Sequence, residues 1–118
     1  MSDYTNMPGK TTIAPEVLYT IARLTTLNVE GVSRMAPVPA RVNRLFKRSQ
    51  MEGVVIDVED DAVYADLYII LLGDINVREV SKTIQHDVSR AISEMVGMQV
   101  GRVNVHVEDI DYPREVEA

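Results

Sequence analysis

Apolar residues first recur at helical spacing in Val17, Leu18, Ile21, Ala22 and Val29, with Thr25 on the same side. This stripe predicts a first helix over about residues 15–29. Pro15 suits its opening turn, where a missing N–H costs nothing, and Gly31 is placed to stop it. Ahead of it, Lys10 to Ala14 reads as a short β-like run. The period then drops to two. Val54, Ile56 and Val58 alternate with Val55, Asp57 and Glu59, and a second strand is predicted from Ala62 to Leu72, with Glu59-Asp60-Asp61 as the turn of a hairpin. Val63, Ala65, Leu67, Ile69 and Leu71 form its core side. Tyr64, Asp66, Tyr68, Ile70 and Leu72 form a second side too apolar to be fully wet.

The second helix carries the clearest start signal. Asn76 and Glu79 have the spacing of a capping box, and Ile75 and Val80 that of a hydrophobic staple. Val77, Val80, Ile84, Val88, Ala91, Ile92 and Met95 supply its apolar stripe, and Gly97 is the expected stop. A last strand follows, with Val103, Val105 and Val107 on one side and Arg102, Asn104, His106 and Glu108 on the other. The predicted order is β-α-(basic loop)-β-β-α-β. The fold class is α+β, a two-layer sandwich in which two helices cover one face of a small, mixed, mainly antiparallel sheet. Residues 1–9 read as a polar N-terminal arm, 10–111 as one domain, and 112–118 as an acidic tail.

Charge changes this picture in one place. Between Glu30 and Glu52 there is no acid, while Arg34, Arg41, Arg44, Lys47 and Arg48 all fall there. This proline-bearing segment, a basic loop over 33–51, carries +5 and leaves −11 to the rest of a chain whose net charge is −6. Ala40 to Arg48 has the pattern of a short amphipathic helix with Val42, Leu45 and Phe46 on one side, marginal at that length without packing. Composition otherwise describes an ordinary globular chain of 118 residues, 46% apolar and 25% charged. No apolar run approaches the ~18 residues needed to span a bilayer, and the first ten residues lack the apolar core of a signal peptide.

Catalytic chemistry finds few footholds. With no cysteine, thiolate metal sites and cysteine nucleophiles are excluded. His86 and His106 show neither HxH nor HExxH spacing, so a metal would need them to converge with Asp87 or Glu108. No serine sits in a GxSxG elbow. Glu59, Asp60 and Asp61 lack the alternating ligands of a calcium loop, and Gly97 to Gly101 lacks the lysine of a phosphate loop. The expectation is a protein that is not an enzyme and takes no cofactor, metal or small-molecule substrate.

Two surfaces remain. Arg41, Arg44, Phe46, Lys47 and Arg48 suit an anionic surface or an acidic partner. Nucleic acid is the alternative occupant, disfavoured by the scarcity of aromatic residues nearby. Val55, Tyr64, Tyr68 and Ile70 suit an oligomer face, unless the basic loop folds over them.

The residues also carry a resemblance. Gly9-Lys10-Thr11-Thr12-Ile13-Ala14, Glu16-Val17, Ile21-Ala22 and Val29-Glu30-Gly31-Val32 resemble the opening of the alkaline shock/general stress protein family, the envelope stress response proteins. Ile84-Gln85, Val88, Glu94-Met95-Val96-Gly97-Met98-Gln99-Val100 and Val103-Asn104-Val105-His106-Val107 are similar to its ending. Ala14 stands where the family usually places a serine, and Val96 where a threonine commonly precedes the glycine. The resemblance covers about residues 10–111. It implies a cytoplasmic, non-enzymatic interaction or scaffold protein of cell-envelope stress response or homeostasis. Such a protein acts through protein partners, in some members a membrane-anchored one that recruits it to the membrane, and self-associates as a homo-oligomer.

Overall fold

The computed structural model describes residues 9–43 and 50–112. Of the expected arm over 1–9 and tail over 112–118, residues 1–8 and 113–118 lie outside the described residues, as does the centre of the basic loop. The elements are α1 (Pro15–Leu27), β1 (Val32–Met35), α2 (Ala40–Asn43), β2 (Gln50–Met51), β3 (Val54–Glu59), β4 (Ala62–Leu72), α3 (Val77–Val96) and β5 (Gln99–Asp111). The α+β class is as expected. The first strand is not. Lys10 to Ala14 forms no strand, and the strand that completes the sheet is Val32–Met35, at the start of the basic loop.

β4 organises the sheet. β5 runs parallel to it along its whole length. Its other edge is shared: β3 pairs antiparallel with Ala62–Leu67, and β1 pairs antiparallel with Ile69–Leu71. β1 and β3 thus lie end to end against one strand. Gly53 sits at their junction. Its carbonyl accepts from the Tyr68 N–H at 2.8 Å, and the Ala36 N–H donates to the Tyr68 carbonyl at 2.8 Å. At Gly53, φ is +83°, and a Cβ would stand 2.6 Å from the Ala36 carbonyl oxygen, so only glycine closes this junction.

Local chemistry explains the turns and helix ends. Asp60 and Asp61 both have positive φ, as do Glu52 and Gly53, which is the geometry of two-residue hairpin loops. The turn expected over 59–61 is thus the pair Asp60-Asp61, with Glu59 the last residue of β3. In α1, Pro15 opens the helix with no side-chain cap from Ala14, and the helix ends at Leu27, two residues earlier than the stripe suggested. In α3, the Asn76 side chain accepts from the Glu79 N–H at 3.0 Å, and Gly97 closes the helix in the left-handed conformation.

Both long helices pack on one face. Leu18, Ile21 and Ala22 of α1 and Val80, Ile84, Val88 and Ile92 of α3 join Val54, Ile56, Val63, Ala65, Leu67, Ile69, Leu71 and Val103 in the main core. Two members of the predicted α3 stripe stay outside it. Val77 and Met95 are 39% and 71% exposed; the buried line Val80, Ile84, Val88, Ile92 continues to Val96, which packs on the core in place of Met95. Thr26 is buried among the apolar residues and returns its hydroxyl to the Ala22 carbonyl at 2.7 Å, which satisfies it.

Candidate interaction face

The sheet face opposite the helices divides into a covered half and an open half. In the covered half, Val55, Tyr68 and Ile70 are buried together with Ala36, and Val38 and Val42 pack against them. The chain leaving β1 turns back over β4 and lays its apolar residues on the apolar part of the strand. Three of the four residues expected to form an oligomer face therefore lie beneath residues 36–42. Tyr64, the fourth, is only half-buried.

The open half is polar and ordered by contacts between strands. The Asp66 carboxylate is shared by Asn104, at 3.1 Å, and by the His106 ring, at 2.8 Å. The same imidazole stacks on Tyr68, with centroids 4.4 Å apart and planes 11° from parallel. Tyr64 lies across Gly101, where a Cβ would fall 2.3 Å from the ring. The Arg102 guanidinium sits over the same ring at 5.5 Å, within cation–π range. Val55, Asp57, Glu59, Tyr64, Asp66 and Arg102 line a depression of ≈ 390 Å³. Asp57 holds the Glu59 carboxyl above the usual carboxylate range, by a hydrogen bond and by its charge.

Asp111, at the end of β5, spans the opposite end of the sheet. Its carboxylate accepts from the Ser33 hydroxyl at 2.7 Å and from Arg34 at 3.0 and 3.2 Å. These bonds hold its pKa below the usual range and raise that of Arg34. Arg34, a cation of the expected basic loop, is thus tied into the sheet as part of β1. Arg41 lies in α2. Arg44, Phe46, Lys47 and Arg48 lie outside the described residues.

The two histidines do not converge. His86 sits exposed on α3 beside Asp87 at 3.2 Å, and His106 occupies the other face of the sheet. Among the described residues, no group of three or more histidines and carboxylates is placed to hold a metal, and no helix is long and apolar enough to cross a membrane. The Asp66–Asn104–His106–Tyr68 cluster escaped the sequence reading. Its members lie ~40 residues apart in the chain, and the one available signal was their shared side of two adjacent strands.

With this geometry in hand, similarity becomes informative. The alkaline shock protein family, described as having a cell envelope-related function, matches residues 3–112. The chain belongs to the alkaline shock protein family. The resemblance read from the sequence is thereby confirmed. Among relatives of this alkaline shock family member, the uncharacterized protein YqhY of Bacillus subtilis is 28% identical over 106 residues, covering 88% of this chain and 78% of that protein. The uncharacterized protein Spy1535 of Streptococcus pyogenes is 35% identical over 103 residues, covering 86% and 79%. In fold, the chain is similar to variants of the MamM CTD. One aligns with a TM-score of 0.50 at 15% identity, covering 80% of this chain and 95% of that one; another has the same score and identity. At that identity the likeness concerns the fold.

Proposed function

We propose that this alkaline shock family protein is a non-enzymatic interaction domain of cell-envelope homeostasis, cytoplasmic, working through protein partners and through self-association. The observation that carries the reading is the family match, which spans nearly the whole described chain and is tied to the envelope. The architecture supports a binding role. One sheet face is committed to the helices, half of the other is roofed by residues 36–42, and the remaining half presents Tyr64, Asp66, Arg102, Asn104 and His106 to solvent. A tyrosine and an arginine held in fixed relation on a strand pair make a good contact surface, because little side-chain freedom is lost on binding. Val55, Tyr68 and Ile70 act in this reading by supporting that surface from below, and the cations Arg41, Arg44, Lys47 and Arg48, with Phe46 among them, suit an acidic or membrane-proximal partner.

The test is affinity capture with the full chain from a Gram-positive cell, comparing wild type, Tyr64→Glu, and a variant with Arg41, Arg44, Lys47 and Arg48 all changed to Gln. The reading expects an envelope protein captured by wild type and lost from at least one variant. Capture indifferent to both variants would sink it. Retention on a nucleic-acid column that falls steeply with salt, and vanishes in the quadruple variant, would favour the nucleic-acid alternative.

A further inference from the structure

β5 is a 13-residue strand that pairs on one side only. Its inner edge is fully used by β4, and no described strand pairs with its outer edge. Long edge strands template further pairing unless they are shortened, covered, bent by bulges, or interrupted by proline or charge. β5 contains no proline or lysine, and Val103 to Val107 carries no Asp, Glu or Arg. Its bulges fall at Gly101 and Glu108, where its register against β4 shifts, and they leave residues 102–107 as a regular run. Gln85 of α3 reaches the rim of the strand and donates to the Val103 carbonyl at 3.1 Å. A carbonyl oxygen has two lone pairs, so this contact does not close the edge.

The sequence of that run, taken with the bulge residue Glu108 that follows it, is complementary to itself. A second copy related by a twofold axis perpendicular to the sheet would run antiparallel, with the helices of both copies on the same side. Centring the axis on Val105 sets Val103 opposite Val107, Asn104 opposite His106, and Arg102 opposite Glu108, each twice. Shifting the axis to Asn104 sets Arg102 against His106, and shifting it to His106 sets Arg102 against Ile110, so the Val105 register is the one that opposes the charges. β5 also has its cation at one end and Glu108, Asp109 and Asp111 at the other. Antiparallel pairing brings the unlike ends together, whereas a parallel neighbour would align the acids. Glu108 is exposed and Arg102 is open to solvent at the rim, and Tyr64 already orients Arg102.

From this complementarity we infer that the outer edge of β5 is a homodimer interface, in which two copies join their sheets antiparallel about Val105 with reciprocal Arg102–Glu108 pairs. The inference rests on the self-association in the proposed function and locates it at a sheet edge, away from the open face offered to other partners.

A charge exchange tests it, read by analytical ultracentrifugation of the full chain with circular dichroism to verify folding. Wild type should be a dimer in the micromolar range. Arg102→Glu alone and Glu108→Arg alone should each weaken the dimer by roughly tenfold or more, since each places like charges opposite twice. An equimolar mixture of the two variants should recover wild-type affinity as a 1:1 heterodimer, because every cross-strand pair is then attractive. Glu108→Arg also guards against misreading a local disturbance at the Arg102–Tyr64 contact. A dimer that both variants leave intact, or a mixture no tighter than its components, would overturn the edge while leaving self-association standing. A wild-type monomer throughout the range would overturn both.

Discussion

Gly53 shows how much a single position can carry. It accepts a β4 hydrogen bond, holds φ at +83°, and leaves no room for a Cβ between the Ala36 and Tyr68 carbonyls. Gly53→Ala should destabilise the fold by about 3 kcal/mol, from backbone strain added to the clash, as measured by chemical denaturation. Glu59 behaves in the opposite sense. Its folded pKa is raised by Asp57, so the ionised carboxylate opposes folding at neutral pH and ceases to do so once protonated below its ordinary value of 4.5. Glu59→Gln should raise the melting temperature at pH 7, and the gain should disappear as the pH falls below that value. Asp111 runs the other way again. Its lowered pKa stabilises the fold above its unfolded value of 3.8, and the contribution is lost as pH drops through the folded value. Asp111→Asn should therefore be less stable than wild type at pH 7, with the deficit closing in acid.

At the scale of elements, α3 is the most self-specified. Its Asn76 cap and its glycine stop both act as the sequence predicts, and Asn76→Ala should cost about 1 kcal/mol in denaturant unfolding. Such signals are legible because donor and acceptor lie within one turn. The exposure of Met95 is not legible, since Met95 and Val96 are adjacent apolar residues at the edge of the stripe and only packing decides that Val96 faces the core. β1 was missed for a related reason. Val32–Met35 is short, contains an arginine and precedes two prolines, and it becomes a strand because β3 leaves the upper edge of β4 vacant. Lys10 to Ala14 has the better local pattern but pairs with no described strand. On the candidate face, the apolar second side of β4 was readable from its alternation. What covers it was not, because Val38 and Val42 arrive from a segment whose own composition reads as loop. The Asp66–His106 pairing likewise depends on a parallel register that no local spacing announces.

At the scale of the molecule, the two sheet faces divide the work. The helix side holds the main core. The far side holds a small second core that depends on residues 36–42. Replacing residues 38–50 by a short Gly/Ser linker should leave the main core folded by circular dichroism while uncovering Val55, Tyr68 and Ile70, which a fluorescent hydrophobic dye would report. Unchanged dye binding would mean that the roof contributes little cover.

The junction at Gly53 has a consequence for how such a chain can diversify. Ala36 and Gly53 flank the same residue, Tyr68, on the same edge of β4, and the chain between them re-enters the sheet at β2, one strand away, so its ends lie close together. A loop with fixed, adjacent ends can lengthen at slight entropic expense, since closure grows only with the logarithm of length. The basic segment is thus a natural insertion point. Beyond Val42 its content can drift, acquire charge or be exchanged while the strands on either side keep their register and residues 36–42 keep their cover, which lets one scaffold be readdressed to new partners without being refolded.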